Sequence, residues 1–145
     1  GPSSILDYKT MHEATLAALE KTGVKIPNIH NTIERMSGGQ RQRVAIARTA
    51  TFHSKLTIMD EPTAALGVQE TAQVENIIRT LKGQGEPLIL ISHNMRQVFD
   101  LVDRIVVFRR GRIVADLNRD ETDGQDVVAY ITGAKTQPQF EVAGA

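Results

Sequence analysis

Apolar positions along the chain alternate between two periods, and each switch marks an element boundary. Between about Asp7 and Lys21 the stripe Tyr8, Met11, Thr15, Leu16, Ala18 and Leu19 has helical spacing, which predicts an amphipathic helix packed by ordinary core contacts, with Gly23 placed to end it. Val24 to Met36 is a polar connection carrying Pro27, Asn28 and Asn31. A second helix is predicted from Gly38 through Val44, Ala45, Ile46 and Ala47, because Ser37 is a good N-cap and Gln40 occupies the return position of a capping box. Leu56 to Met59 and Pro87 to Ile91 are short continuous apolar runs, the pattern of strands buried on both faces. Between them Val74, Ile77, Ile78 and Leu81 recur at helical spacing, and Gly83 and Gly85 are stop signals. Strand, helix, strand implies a parallel right-handed crossover. A short helix from about Met95 to Leu101 follows, then strands at Arg104 to Phe108 and Arg112 to Asp116 around a hairpin turn at Arg110-Gly111. Thr122 and Gln125 offer a capping box for a last helix through Val127, Val128, Tyr130 and Ile131, ended by Gly133. From Ala134 onward the chain is expected to be frayed.

Three of these boundaries carry chemistry. Met36-Ser37-Gly38-Gly39-Gln40-Arg41-Gln42-Arg43 opens a helix with two residues that place no side chain before an approaching anion, beside the basic Arg41 and Arg43. Backbone N–H groups and the positive end of the helix favour a phosphate there. Without the segments that follow, an ordinary capped helix with a basic face would be the better reading. Leu56-Thr57-Ile58-Met59-Asp60-Glu61-Pro62 ends an apolar run in two adjacent carboxylates, and Pro62 stops the strand by removing a donor. Strand C-terminal tips are where open α/β sheets place ligands. Adjacent acids alternate in direction on a strand, so Asp60 can hold Mg²⁺, directly or through water, while Glu61 orients or deprotonates an attacking water. The third run, Pro87 to His93, ends in Ser92 and His93, an imidazole able to donate to a γ-phosphate.

In this order and spacing the three segments resemble the C-terminal portion of an ABC-type ATPase, the nucleotide-binding subunit of ATP-driven transporters. Met36 to Gln40 resembles that family's signature, Leu56 to Glu61 its Walker B strand, and His93 its switch histidine; the likeness runs from about Ile5 to Gly133. Glu61 to Gly67 resembles the D-loop, over Ala64, Ala65, Leu66 and Gly67, with Gly67 where most members carry an aspartate. This ending is similar to the ribose- and fructose-type sugar importers, and Gly67 has no carboxylate for an inter-subunit contact at that position. The resemblance implies an α/β fold, part of a P-loop (RecA-like) parallel sheet flanked by helices, plus a small helical subdomain carrying the signature. It divides the chain into a helical part over 5–50 and a partial RecA-like core over 51–133. Residues 134–145 would form a flexible tail, and Gly1-Pro2-Ser3-Ser4 is similar to a cleaved-tag scar.

The resemblance further implies ATP and Mg²⁺ as ligands and a head-to-tail pair of ATPase subunits. Ser37, Gly38, Gly39 and Gln40 would clamp the nucleotide held by the partner, while Asp60, Glu61 and His93 act on the chain's own. Permease subunits and, through them, a solute-binding protein would complete a carbohydrate importer, placing the ATPase on the cytoplasmic face of a bacterial plasma membrane. No G-x-x-x-x-G-K-[ST] segment occurs among the 145 residues, so the amide cradle for the β- and γ-phosphates is expected to be absent and the chain to be an inactive fragment. The aromatic residue that stacks on adenine and the glutamine loop are not recognisable either. Loss of the sheet strand that precedes such a cradle would expose unpaired edges and favour self-association.

Composition narrows the alternatives. With 41% hydrophobic residues and 17 basic against 17 acidic, the chain can build a core and shows no electrostatic footprint for nucleic acid. It has no cysteine, hence no disulfide framework or thiol nucleophile. No apolar stretch reaches the roughly 20 residues that span a bilayer. Two other classes stay open: a non-transport ATPase of the same superfamily, against which stands the brevity of the Tyr8 to Leu19 stripe as a coiled coil, and a non-catalytic interaction module.

Overall fold

The computed structural model describes residues 6–22, 24, 26, 29, 32–49 and 55–140. Contacts group the chain into two compact units, 1–91 and 92–145.

In the first unit, helix α1 (Tyr8–Thr22) starts where Asp7 accepts from the Thr10 and Lys9 N–H groups, each at 3.1 Å, and from the Thr10 hydroxyl at 2.6 Å. The Thr10 hydroxyl holds the Asp7 carboxyl below the ordinary carboxylate range. The stripe does not pack as expected along its whole length. Ala18 and Leu19 are buried, but Tyr8 is 75% exposed, and Met11 and Leu16 are also exposed. The apolar face finds cover only near the helix C-terminus, where Val24 N–H returns to the Leu19 carbonyl at 2.9 Å. Gly23, Pro27, Asn28 and Asn31 lie outside the described residues.

A one-turn 3₁₀ helix (Ile33–Arg35) leads to α2 (Gly38–Thr49), which packs on α1 and on α3 (Val68–Gly83). Between α2 and α3 runs β1 (Thr57–Asp60), which pairs in parallel with β2 (Leu88–Ile91) in the register Thr57↔Leu88 to Asp60↔Ile91. The helical spacing of α3 translates directly into packing, with Val74, Ile77, Ile78 and Leu81 all buried. The helix stops at Gly83, and Gly85 takes a left-handed φ of 77°.

The two strands depart from the expectation of burial on both faces. Thr57 and Met59 point inward, but Ile58 is 62% exposed, Ile89 44% and Ile91 48%. Among the described residues β2 pairs with β1 alone and β3 with β4 alone. A continuous apolar run signals burial on both faces only when a layer covers each face.

The second unit is a hairpin with helices. Helix α4 (Met95–Leu101) precedes β3 (Arg104–Arg109) and β4 (Arg112–Asn118), and α5 (Gly124–Thr132) packs on both strands. Arg110 and Gly111 have φ of 49° and 76°, the paired positive values of a type I′ turn, whose twist suits a two-residue hairpin. Opposite Val107 and Phe108 the register skips one residue, since Val107 faces Ala115 and Phe108 faces Ile113. Val114 is therefore bulged, and Val114 and Ala115 are both buried despite being adjacent. They join Val98, Ile105, Val107 and Val127 in one core.

The cap of α5 is Asp123, whose side chain accepts from Asp126 N–H at 2.9 Å. It is not Thr122, whose hydroxyl is buried without a partner. A carboxylate is as good an N-cap as a hydroxyl, and a shift of one residue leaves the periodic face unchanged. Gly133 ends the helix at φ 93°. Beyond it, Gln137 donates its N–H to the bulged Val114 carbonyl at 3.0 Å. Its side chain accepts from Asp116 N–H at 2.8 Å and donates to the Asp116 carbonyl at 3.2 Å. The segment expected to fray is thus hydrogen-bonded to the edge of β4 at Gln137, and 141–145 lie outside the described residues.

Candidate functional site

Two candidate segments lie in the first unit and one in the second, and each is positioned by a local device. Ser37 and Gln40 form a reciprocal capping box at the start of α2. Gln40 N–H donates to Ser37 Oγ at 3.2 Å, and Ser37 N–H donates to Gln40 Oε1 at 3.0 Å. Two of the helix's orphan donors are thereby engaged inside the chain. The two glycines differ. Gly38 is exposed, and a Cβ built on it would meet nothing within 4 Å. Gly39 is buried beneath the Glu70 side chain, so its missing side chain answers to packing within the chain. Beside Gly38 opens a cleft of about 460 Å³ whose lining includes Ile33, Arg41, Gln42 and Arg48. Arg41 is exposed along this cleft, whereas Arg43 is half-buried and its Nε is buried without a partner. Of the two arginines flanking the glycines, Arg41 is the one beside the open approach.

Asp60 is the last residue of β1 and is exposed. Glu61 N–H continues the ladder by donating to the Ile91 carbonyl at 2.9 Å. The backbone at Glu61 then turns into the left-handed region at φ 44°. The expected alternation of two acids on one strand therefore does not hold: Asp60 closes the strand, and the chain turns at Glu61. A non-glycine residue in this region costs free energy that the surrounding structure must over-determine. Here the sheet bond holds one side, and the turn bond from Ala64 N–H to the Glu61 carbonyl at 3.0 Å holds the other. Ala65 is also left-handed, at φ 60°, and Leu66 N–H closes on the Thr63 carbonyl at 3.2 Å. Ala64 to Gly67 is thus a tight wound segment that delivers the chain into α3, with Gly67 as the N-cap.

His93 belongs to the second unit, where it is exposed, one residue before the cap of α4. Its loop is braced on either side. The Ser92 hydroxyl donates to Gln97 Oε1 at 3.0 Å and accepts from Asn94 N–H at 3.1 Å. Asn94 caps α4 by accepting from Gln97 N–H at 3.2 Å, and Gln97 is wholly buried. Sequence reasoning missed Asn94, Gln97 and Glu70. The first two could have been found from the Asn-x-x-Gln spacing ahead of an apolar helix, and Glu70 from its place three residues after Gly67.

For a divalent cation, the described residues hold no cluster of three His, Cys, Asp or Glu. Mg²⁺ needs no such cage, since it takes one or two carboxylates and completes its shell with phosphate oxygens and water. The single exposed carboxylate of Asp60 fits that requirement. Among the described residues no helix is long and apolar enough to cross a membrane.

Comparison with known proteins bears on the same segments. Residues 7–64 match the family model described as ABC transporter. The fructose import ATP-binding protein FrcA of Rhizobium meliloti is 46% identical over 139 residues, covering 95% of this chain and 54% of the relative. The xylose/arabinose import ATP-binding protein XylG of Sulfolobus acidocaldarius is 39% identical, over 88% of this chain and 51% of the relative. The ribose import ATP-binding protein RbsA 2 of Burkholderia cenocepacia is 36% identical, over 92% and 27%. The chain therefore spans about half the length of the first two relatives. Among solved structures, the ATP-binding cassette MJ1267 of an ABC transporter superposes with a TM-score of 0.71 at 25% identity, over 87% of this chain and 51% of that one. The cassette cbiO1 from Clostridium perfringens superposes with a TM-score of 0.67 at 25% identity, over 94% and 54%.

Proposed function

We propose, from the match of residues 7–64 to the ABC transporter family model and the likeness to sugar import ATP-binding proteins, that the chain is part of the ATP-hydrolysing subunit of a carbohydrate importer. The observation that carries the reading is the 46% identity, over 95% of the chain, to a fructose import ATP-binding protein. The capped, glycine-bearing start of α2 and the acidic tip of β1 are the features that chemistry requires.

In this reading the nucleotide lies between two subunits arranged head to tail. One subunit presents Ser37, Gly38, Gly39 and Gln40 to the phosphates, with Gly38 offering the open approach and Arg41 adding positive charge along it. The other subunit contributes Asp60, Glu61 and His93. Asp60 would hold Mg²⁺, which neutralises phosphate charge when bound. Glu61 orients the attacking water and takes its proton, and its left-handed backbone fixes the carboxyl's starting point at the strand tip. His93 donates a hydrogen bond toward the transferred phosphoryl group. Ala64 to Gly67 faces the partner subunit. The phosphate loop, which such a site requires and these residues do not contain, comes from protein outside this chain, and the chain alone does not turn over ATP. Permease subunits receive the closure and reopening of the pair and hold the ATPase at the cytoplasmic face of the membrane. The solute is chosen by other chains.

Calorimetric titration of Mg-ATP into this chain tests the half-site: no heat of binding is expected, and saturable Mg-dependent binding would refute it. In the whole subunit, Glu61→Gln is expected to slow hydrolysis by about a hundredfold or more while sparing ATP-driven pairing; wild-type turnover would remove Glu61 from its role.

A further inference from the structure

Helix α3 begins with Gly67 as N-cap and Glu70 three residues on, the position from which a carboxylate turns back over a helix start. Gly67 has no side chain with which to complete a reciprocal box, and no side-chain cap bond forms. Glu70 reaches across to α2 instead. A Cβ built on Gly39 would stand 2.6 Å from Glu70 Cγ, 3.3 Å from Glu70 Cβ and 3.7 Å from Leu66 Cδ2. A Cβ built on Gly67 would stand 2.7 Å from Glu70 Oε2. A separation below 3.0 Å forces a shift, which the terminal Oε2 beside Gly67 can make by rotating but the Cγ of the half-buried Glu70 stem over Gly39 cannot make as readily. A Cβ built on the neighbouring Gly38 would meet nothing within 4 Å.

We propose that Glu70 is a positioning residue that joins the Ser37–Gln40 segment to the turn following Glu61, and that Gly39 is a glycine to admit its stem. The inference rests on the reading of those two segments as parts of ATP sites. Its content is that they are registered within one subunit: the start of α2, which serves the partner's nucleotide, cannot approach the Leu66–Gly67 turn, which follows the chain's own catalytic carboxylate, without displacing Glu70 and the first turn of α3. The Cβ–Cγ stem rests on Gly39, and the carboxylate lies beside Gly67. Stem and charge are therefore separable by substitution.

The test uses the whole subunit and two readouts. In urea unfolding, Gly39→Ala is expected to lower the midpoint, Gly38→Ala to leave it nearly unchanged, and Glu70→Ala to remove most of the loss caused by Gly39→Ala. In ATP hydrolysis, Glu70→Ala is expected to lower kcat about fivefold or more with KM within about twofold, because a displaced group costs rate while binding contacts stay. Glu70→Gln keeps the stem and is expected to retain kcat within about twofold of wild type. A Gly39→Ala loss that persists in full in the Glu70→Ala background overturns the proposal, and so does wild-type kcat in Glu70→Ala. Should the whole wild-type subunit fail to hydrolyse ATP, the ATPase reading falls, and the unfolding series alone then decides on Glu70.

Discussion

Ser37 is assigned two tasks, closing the start of α2 and meeting a phosphate, and substitution separates them. Ser37→Ala deletes the oxygen that accepts from Gln40 N–H at 3.2 Å and leaves in place the return bond from Ser37 N–H to Gln40 Oε1 at 3.0 Å. Both bonds are exposed, so water partly replaces the lost acceptor. The cost should then fall near the middle of the range for N-cap serines, about 1 kcal/mol. With a urea dependence of about 2 kcal/mol per molar, this is a midpoint shift of about 0.5 M. Gln40→Ala breaks the other half for about 0.5 kcal/mol, and the double variant should cost less than the sum because the two bonds form one box. Ser37→Thr, which keeps the oxygen, should lie within about 0.3 kcal/mol of wild type. The assay is urea unfolding of the chain followed by far-ultraviolet circular dichroism, with amide exchange at Gln40. A Ser37→Ala midpoint within error of wild type, with Gln40 exchange unchanged, would refute the capping box as the device that starts α2. ATP affinity of the whole subunit would then report the phosphate contact alone.

Other expectations follow from single contacts. Gln137→Ala removes both side-chain bonds to the Asp116 backbone and should cost about 1–2 kcal/mol, with faster exchange of the Asp116 amide; unchanged exchange would mean that the segment after Gly133 does not protect the β4 edge. Asp116 accepts from Arg104 Nε at 2.7 Å, and that bidentate contact holds its carboxyl below the ordinary carboxylate range. A folded-state pKa lowered in this way stabilises above the unfolded carboxyl value and is lost as pH falls through the folded one. Acidification below about pH 4 should therefore weaken the hairpin, and Asp116→Asn should flatten the profile. Ile58, Ile89 and Ile91 form an exposed apolar face on a sheet whose β2 has no second partner among the described residues. Light scattering of this chain should show self-association that Ile89→Lys reduces; a monomer at all concentrations would remove the idea.

Whatever depends on residues within one or two turns of each other is legible in the sequence. The buried face of α3, the Ser37–Gln40 box, the positive-φ turn at Arg110-Gly111 and the stop at Gly133 follow from spacing, capping and the conformational freedom of glycine. These local rules also place Asp60 at a strand tip and Ser37 to Gln40 at a helix start.

Tertiary structure decided what needs a partner far along the chain. It turned Glu61 left-handed, since that conformation is held from outside by the Ile91 carbonyl. It bulged β4 at Val114 so that two adjacent residues enter one core. It left one face of the β1–β2 pair open although both runs are apolar, because a pattern states what a face requires and only a neighbouring layer can supply it. It also distinguished two adjacent glycines that look equivalent in the sequence, leaving Gly38 open and closing Gly39 beneath Glu70. Periodicity and caps are properties of a segment, whereas exposure, strain and close approach are properties of what lies against it.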